Sequence, residues 1–260
     1  MTRYRPRLLL AAIALGGALG WAYQDTFGWI LTGWRENPYF SHGPLVPLLT
    51  AALLWRLRHA LLSAAWRTDW RGLAVVALAG LMFIGGRVID LNYAVGLSLV
   101  VLLHGVTWTV AGPEVARLAF FPLSFLAFGV PLSQLVIHAY SFPLQLASAR
   151  LATGTMNLLT GAQAYADGTL MRMDGLDYLV AVECSGFKAL LGLTMVGVLA
   201  AYLTDTSRSR RIGIALLAAP IAVASNVVRL FLILIVGRLW GHEFAVTTFH
   251  DMSGLVMLVV

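Results

Sequence analysis

The chain holds one cysteine, Cys184, in the stretch Val182-Glu183-Cys184-Ser185-Gly186-Phe187-Lys188, where a polar, turn-rich segment meets a new apolar run. A thiolate is a strong nucleophile, and it is favoured beside a cation or at the start of a helix. Two later segments offer partners for it. Arg229 lies inside an apolar run, in Ser225-Asn226-Val227-Val228-Arg229, and His250 opens the last run, in Thr248-Phe249-His250-Asp251. A histidine can take a thiol proton and return it to a leaving amine. An arginine stays charged, and can hold a thiolate, a tetrahedral oxyanion or a substrate carboxylate.

Each residue type also has a plain structural role. A lone cysteine packs like a small hydrophobe, and histidine is comfortable near an interface. Arg229 is harder to set aside, because an arginine within an apolar span is costly unless it is paired or hydrated. Around the three sit supporting candidates. Glu183 could orient His250 or face water, and Ser185 adjoins the thiol. Asn226 shares a helix face with Arg229, where it could fix the guanidinium or satisfy a kink. Lys188, Arg150 and Arg172 are candidate cations for an acidic substrate group, and His42 could line a mouth or sit in a solvated loop. The six histidines show no HExxH-type spacing. No Walker or Rossmann glycine pattern occurs either, so neither a metal nor a nucleotide cofactor is expected.

These residues need elements to carry them, and composition says what kind. Hydrophobic residues make up 59% of the 260, charged residues 12%, and the mean hydropathy is +0.81. That balance describes a polytopic, all-α membrane protein rather than a soluble domain. The net charge of +6 comes from arginines in short clusters between apolar runs. It reads as the positive-inside rule, not as a nucleic-acid face.

In chain order, the pattern predicts about eight transmembrane helices in one domain over residues 1–260. Arg3, Arg5 and Arg7 hold the N-terminus in the cytoplasm, and a retained helix follows from Leu8 to Tyr23. A shaped, non-helical loop is expected from Gln24 to Gly43, with spans over 45–57, 72–89, 93–110 and 118–138. Arg87 and Asp90 would cap the tight turn between the third and fourth, and Glu114 and Arg117 would lie in a cytoplasmic loop. A short helix over 141–159 reads as lying along the outer interface or re-entering it. Asp174-Gly175, between two short apolar-rich strands, is a two-residue β-hairpin signal. The sixth span starts at Cys184 and the seventh covers 212–236, with an outer loop over 238–249. The eighth, from His250, reaches only Val260, short of the ~20 residues that a bilayer needs, so the sequence either ends inside that span or was cut there. This topology puts Cys184, Arg229 and His250 on one side of the membrane.

Glu183-Cys184-Ser185-Gly186 before an apolar helix, Asn226-Val227-Val228-Arg229 inside the next, and Phe249-His250-Asp251-Met252-Ser253-Gly254 opening the last resemble the signature of the exosortases, bacterial relatives of the archaeosortases. Ser41-His42-Gly43 with Leu45-Val46, and the segment from Phe121-Pro122-Leu123 to Val130-Pro131, are similar too. The resemblance implies an inner-membrane cysteine transpeptidase, Cys184 its nucleophile, His250 its acid and base, and Arg229 its transition-state or substrate cation. It implies substrates with a C-terminal sorting signal (a Pro-Glu-Pro motif, a membrane helix and a basic tail), cut at the outer face and passed to an acceptor in the cell envelope. Two other readings stand beside it. One is a small anion transporter using Arg229 and Lys188, the other a non-catalytic assembly factor for exopolysaccharide export.

Overall fold

The computed structural model describes residue 17, residues 20–245 and residue 247. It is mostly helical with one small sheet, and it divides into two compact units, residues 1–133 and 134–260. His250, the last apolar run and most of the first expected span lie outside the described residues.

In the first unit the segment expected as a non-helical loop is largely helix, with α1 running Gln24–Glu36. Phe27, Ile30, Leu31 and Trp34 recur at helical spacing, and Asp25 sits in the first turn, where a carboxylate complements the helix dipole. Only the end is shaped. A 3₁₀ turn over Pro38–Phe40 follows, and the Asn37 side chain accepts the Tyr39 N–H at 3.0 Å. At Gly43 a Cβ would overlap the Trp34 indole, so the backbone lies directly against that ring. The indole N–H of Trp34 in turn donates to the carbonyl oxygen of Gly129 at 2.7 Å.

Helices α2 (Leu45–Arg56), α3 (Arg58–Ser63), α4 (Gly72–Val88) and α5 (Asn92–Ala111) come next. At the α4–α5 turn the Asp90 N–H donates to the Arg87 carbonyl oxygen at 3.4 Å and Asp90 takes a φ of +53°, while the Arg87 side chain pairs with Asp25 of α1 at 3.0 Å. Glu114 and Arg117, expected in a loop, sit on α6 (Pro113–Phe125). Proline suits the first helical position, where its missing N–H has no partner to lose. The helix tightens into a 3₁₀ turn over Leu126–Gly129 and then stops before Pro131, so the span expected over 118–138 is broken.

The second unit opens with α7, Gln134–Thr160, a helix of 27 residues. It takes in the end of the expected fifth span and the whole of the expected interfacial helix. Its buried stripe includes Ser141, Gln145, Ser148, Ala149, Ala152 and Met156, spaced for one helical face. Strands β1 (Ala164–Asp167), β2 (Leu170–Met173) and β3 (Leu176–Leu179) then form an antiparallel sheet in the order 1-2-3. The Asp174-Gly175 hairpin is present, with φ of +54° and +76° at the two turn residues, as a type I′ turn requires. Strand β1 was not expected. Asn157 of α7 holds it, accepting the Ala164 N–H and donating to the Ala164 carbonyl, each at 2.7 Å.

A 3₁₀ turn over Val182–Cys184 leads into α8 (Phe187–Leu203), then α9 (Arg208–Trp240) and a short α10 (His242–Phe244). Helix α9 runs 33 residues, longer than expected at both ends, so Arg238 belongs to its last turn rather than to a loop. By length and composition, α5 and α9 can each cross a membrane; segments 113–129 and 134–160 qualify only when counted together as one interrupted span. That gives two or three crossing elements among the described residues; of the eight expected spans, the last and most of the first lie outside those residues. Helices α4 and α8 fall just short at 17 residues each.

Candidate active site

Cys184 ends the 3₁₀ turn and is 1% exposed. Its N–H donates to the Ala181 carbonyl at 2.9 Å. The helix expected to begin at the thiol begins three residues later. Gly186 takes a φ of +81°, and the Ser185 hydroxyl accepts the Phe187 N–H at 3.2 Å, which satisfies one of the donors left open at the start of α8. Around the thiol lies an apolar core that includes Ala149 and Ala152 of α7, Val180 beyond the sheet, and Leu230 and Ile233 of α9.

Buried polar residues border this core, and Asn226 links them. Asn226 of α9 is 1% exposed, and its side-chain amide donates to the Cys184 carbonyl oxygen at 2.9 Å and to the Ser148 hydroxyl at 3.0 Å. The same amide lies under the left-handed turn, since a Cβ at Gly186 would come 2.9 Å from the Asn226 Cβ. Three elements therefore meet on one side chain: α7 through Ser148, the cysteine turn through its backbone, and α9 itself.

A family model described as transmembrane exosortase matches residues 34–260, which takes in all of the second unit and residues 34–133 of the first. The chain belongs to the exosortase family. It is a membrane protein on that ground and on the strength of its apolar helices. No curated protein and no solved structure matches it.

Within this exosortase the other sequence-derived candidates fall as follows. Arg229 is half-buried on α9, one helical turn after Asn226. Glu183 belongs to the 3₁₀ turn beside Cys184. Lys188 and Arg150 are exposed, the first on the opening turn of α8 and the second on α7. Arg172 spends its charge within the sheet, bridging Asp177 at 3.1 Å and Asp167 at 3.3 Å. Cross-strand Tyr165, then Asp177, pushes its pKa up, so the guanidinium remains a cation. His42 belongs to the first unit and lies near the Phe40 ring.

The sequence did not single out Ser148, Tyr178 or His242. Ser148 had a signal, the polar spacing Ser141, Gln145, Ser148 on one face of α7. Tyr178 of β3 lies against Gly237, and its ring packs edge-on to His242 with centroids 4.8 Å apart. The Tyr178 hydroxyl and His242 Nδ1 are buried without partners among the described residues. Burial, with some help from Asp174, pushes the Tyr178 hydroxyl pKa up, so it stays a neutral phenol.

Proposed function

We propose that this exosortase is a cysteine transpeptidase of the bacterial inner membrane, one catalytic domain of about eight spans with its active site on the periplasmic side. The observation that carries the reading is the bond from Asn226 to the Cys184 carbonyl, which joins the cysteine motif to the arginine-bearing helix. Substrates are membrane-anchored proteins that end in a Pro-Glu-Pro motif, a transmembrane helix and a basic tail. A substrate held by its own helix in the same bilayer meets the enzyme at a high effective concentration.

In the reaction, His250 takes the Cys184 proton and the thiolate attacks the scissile carbonyl carbon. The resulting oxyanion is stabilised by Arg229, which stays charged. Collapse breaks the C–N bond, His250 returns its proton to the leaving amine, and a thioester to Cys184 remains. A nucleophile of the cell envelope then attacks the thioester carbonyl and releases the thiol. Lys188 and Arg150, both exposed cations, are suited to the glutamate of the signal.

The test is processing of a signal-bearing substrate in cells that carry Cys184→Ala, Arg229→Ala or His250→Ala. Each variant is expected to insert normally and leave the substrate uncut. Near-normal processing by Cys184→Ala would overturn the proposal and favour a transport or assembly role.

A further inference from the structure

Asn226 carries more than its place in the family motif. We infer that it is a positioning residue for Cys184, fixing the peptide plane of the nucleophile's turn relative to the helix that bears Arg229, with Ser148 as the counter-anchor on α7. The inference rests on the reading of Cys184 as the nucleophile.

Both Asn226 amide hydrogens are committed, one to the Cys184 carbonyl at 2.9 Å and the other to Ser148 at 3.0 Å. All three residues are 1% exposed. The Asn226 Oδ1 is buried and has no partner among the described residues. A buried amide oxygen without a donor is unfavourable, a cost set against the two bonds that the amide donates; an apolar side chain would avoid it but would leave the Cys184 carbonyl and the Ser148 hydroxyl without this donor. What an amide adds is direction, because a donor fixes the orientation of the Cys184 carbonyl and an apolar group does not. That carbonyl belongs to the peptide plane that leads from the nucleophile into Ser185, so turning it re-aims the Cys184 side chain.

Gly186 allows the arrangement. Its φ of +81° lets the chain turn into α8, and a Cβ there would come 2.9 Å from the Asn226 Cβ, too close for any residue but glycine without a shift. Asn226 and Arg229 are three residues apart on one rigid helix, a rise of about 4.5 Å. A single bond from that helix to Cys184 thus sets the register between nucleophile and cation. Asn226 does not touch the reacting atoms in this role. The sequence alone suggests two roles for Asn226, fixing the guanidinium or satisfying a kink; its two amide hydrogens go to the cysteine turn and to Ser148.

The experiment uses the full-length enzyme in proteoliposomes and two readouts. One is kcat and KM for cleavage of a signal-bearing substrate; the other is the rate of Cys184 alkylation by iodoacetamide across pH. Asn226→Ala is expected to lower kcat about 100-fold with KM within about threefold, and to change the alkylation rate at least about fivefold. Asn226→Leu keeps about the volume and loses both donors, so it should behave alike, and it carries the test if the alanine variant does not fold. Ser148→Ala keeps the bond to Cys184 and should show a smaller loss with the same split between kcat and KM. The inference is overturned if kcat and alkylation both stay within about twofold, or if the loss disappears once rates are normalised to folded enzyme. If Cys184→Ala still processes substrate, the catalytic reading fails by itself, and the alkylation profile continues to report on the clamp.

Discussion

The side-chain amide of Asn226 donates to the carbonyl oxygen of Cys184 at 2.9 Å across 42 residues of sequence. Two short motif pieces are thereby bonded to each other in the fold. This contact makes the cysteine turn and α9 a single unit, and several consequences can be measured.

Gly186→Ala should be among the most damaging substitutions in the second unit. A side chain at φ of +81° is strained, and its Cβ would press on Asn226. Strain of this kind costs about 1–3 kcal/mol, and the Cys184 turn would shift with it. Thermal unfolding in detergent should show a lowered midpoint, with processing lost by more than the fall in folded protein explains.

In the first unit, Trp34→Phe removes the indole donor to Gly129 but keeps most of the ring contact with Gly43. A buried carbonyl left without its donor costs about 1–3 kcal/mol. Gly43→Ala should be worse, because a Cβ there overlaps the indole itself. Comparing the unfolding midpoints of the two variants tests that order.

Asp69 sets an acid-side dependence outside the spans. Its carboxylate accepts the Arg71 N–H at 3.0 Å and the Trp108 indole N–H at 3.1 Å, linking the loop before α4 to α5. The Arg71 backbone donor comes first in holding its pKa below the ordinary carboxyl value, against some desolvation, with Trp108 and the Arg71 and Arg67 cations adding to it. A depressed folded pKa means stability that is present above the unfolded carboxyl range and lost as pH falls through the folded value. Melting followed from neutral to acid pH should therefore show a fall that Asp69→Asn reduces.

Arg172→Ala separates a sheet role from a substrate role. The guanidinium is 39% exposed and already bridges two exposed carboxylates, so its loss should lower the unfolding midpoint only slightly. Substrate KM should stay within about twofold, whereas a large rise in KM would make Arg172 the cation that reads the signal.

The hairpin at Asp174-Gly175 was legible because positive φ at two adjacent residues leaves few side-chain choices, and the sequence supplies them there. The family was legible in three short motifs whose order survives in the chain. Helix α1 was hidden because Gly28 and Gly33 weaken the local helix signal, while its stability comes from burial of Thr26 and Ile30, which only tertiary packing reveals. Strand β1 was missed because its four residues are anchored by Asn157 of α7, a contact without a local pattern. The link from Ser148 to Asn226 spans 78 residues, and no spacing rule reaches that far. Reading Asn226 toward Arg229 followed sequence proximity, whereas the bonds go to other elements.

The most direct measurement is the intact mass of the purified enzyme after incubation with a Pro-Glu-Pro signal substrate and no acceptor. The account predicts a hydroxylamine-sensitive adduct on Cys184, equal to the N-terminal product less one water and absent from Cys184→Ala. An adduct on another residue, or continued cleavage by Cys184→Ala, would contradict it.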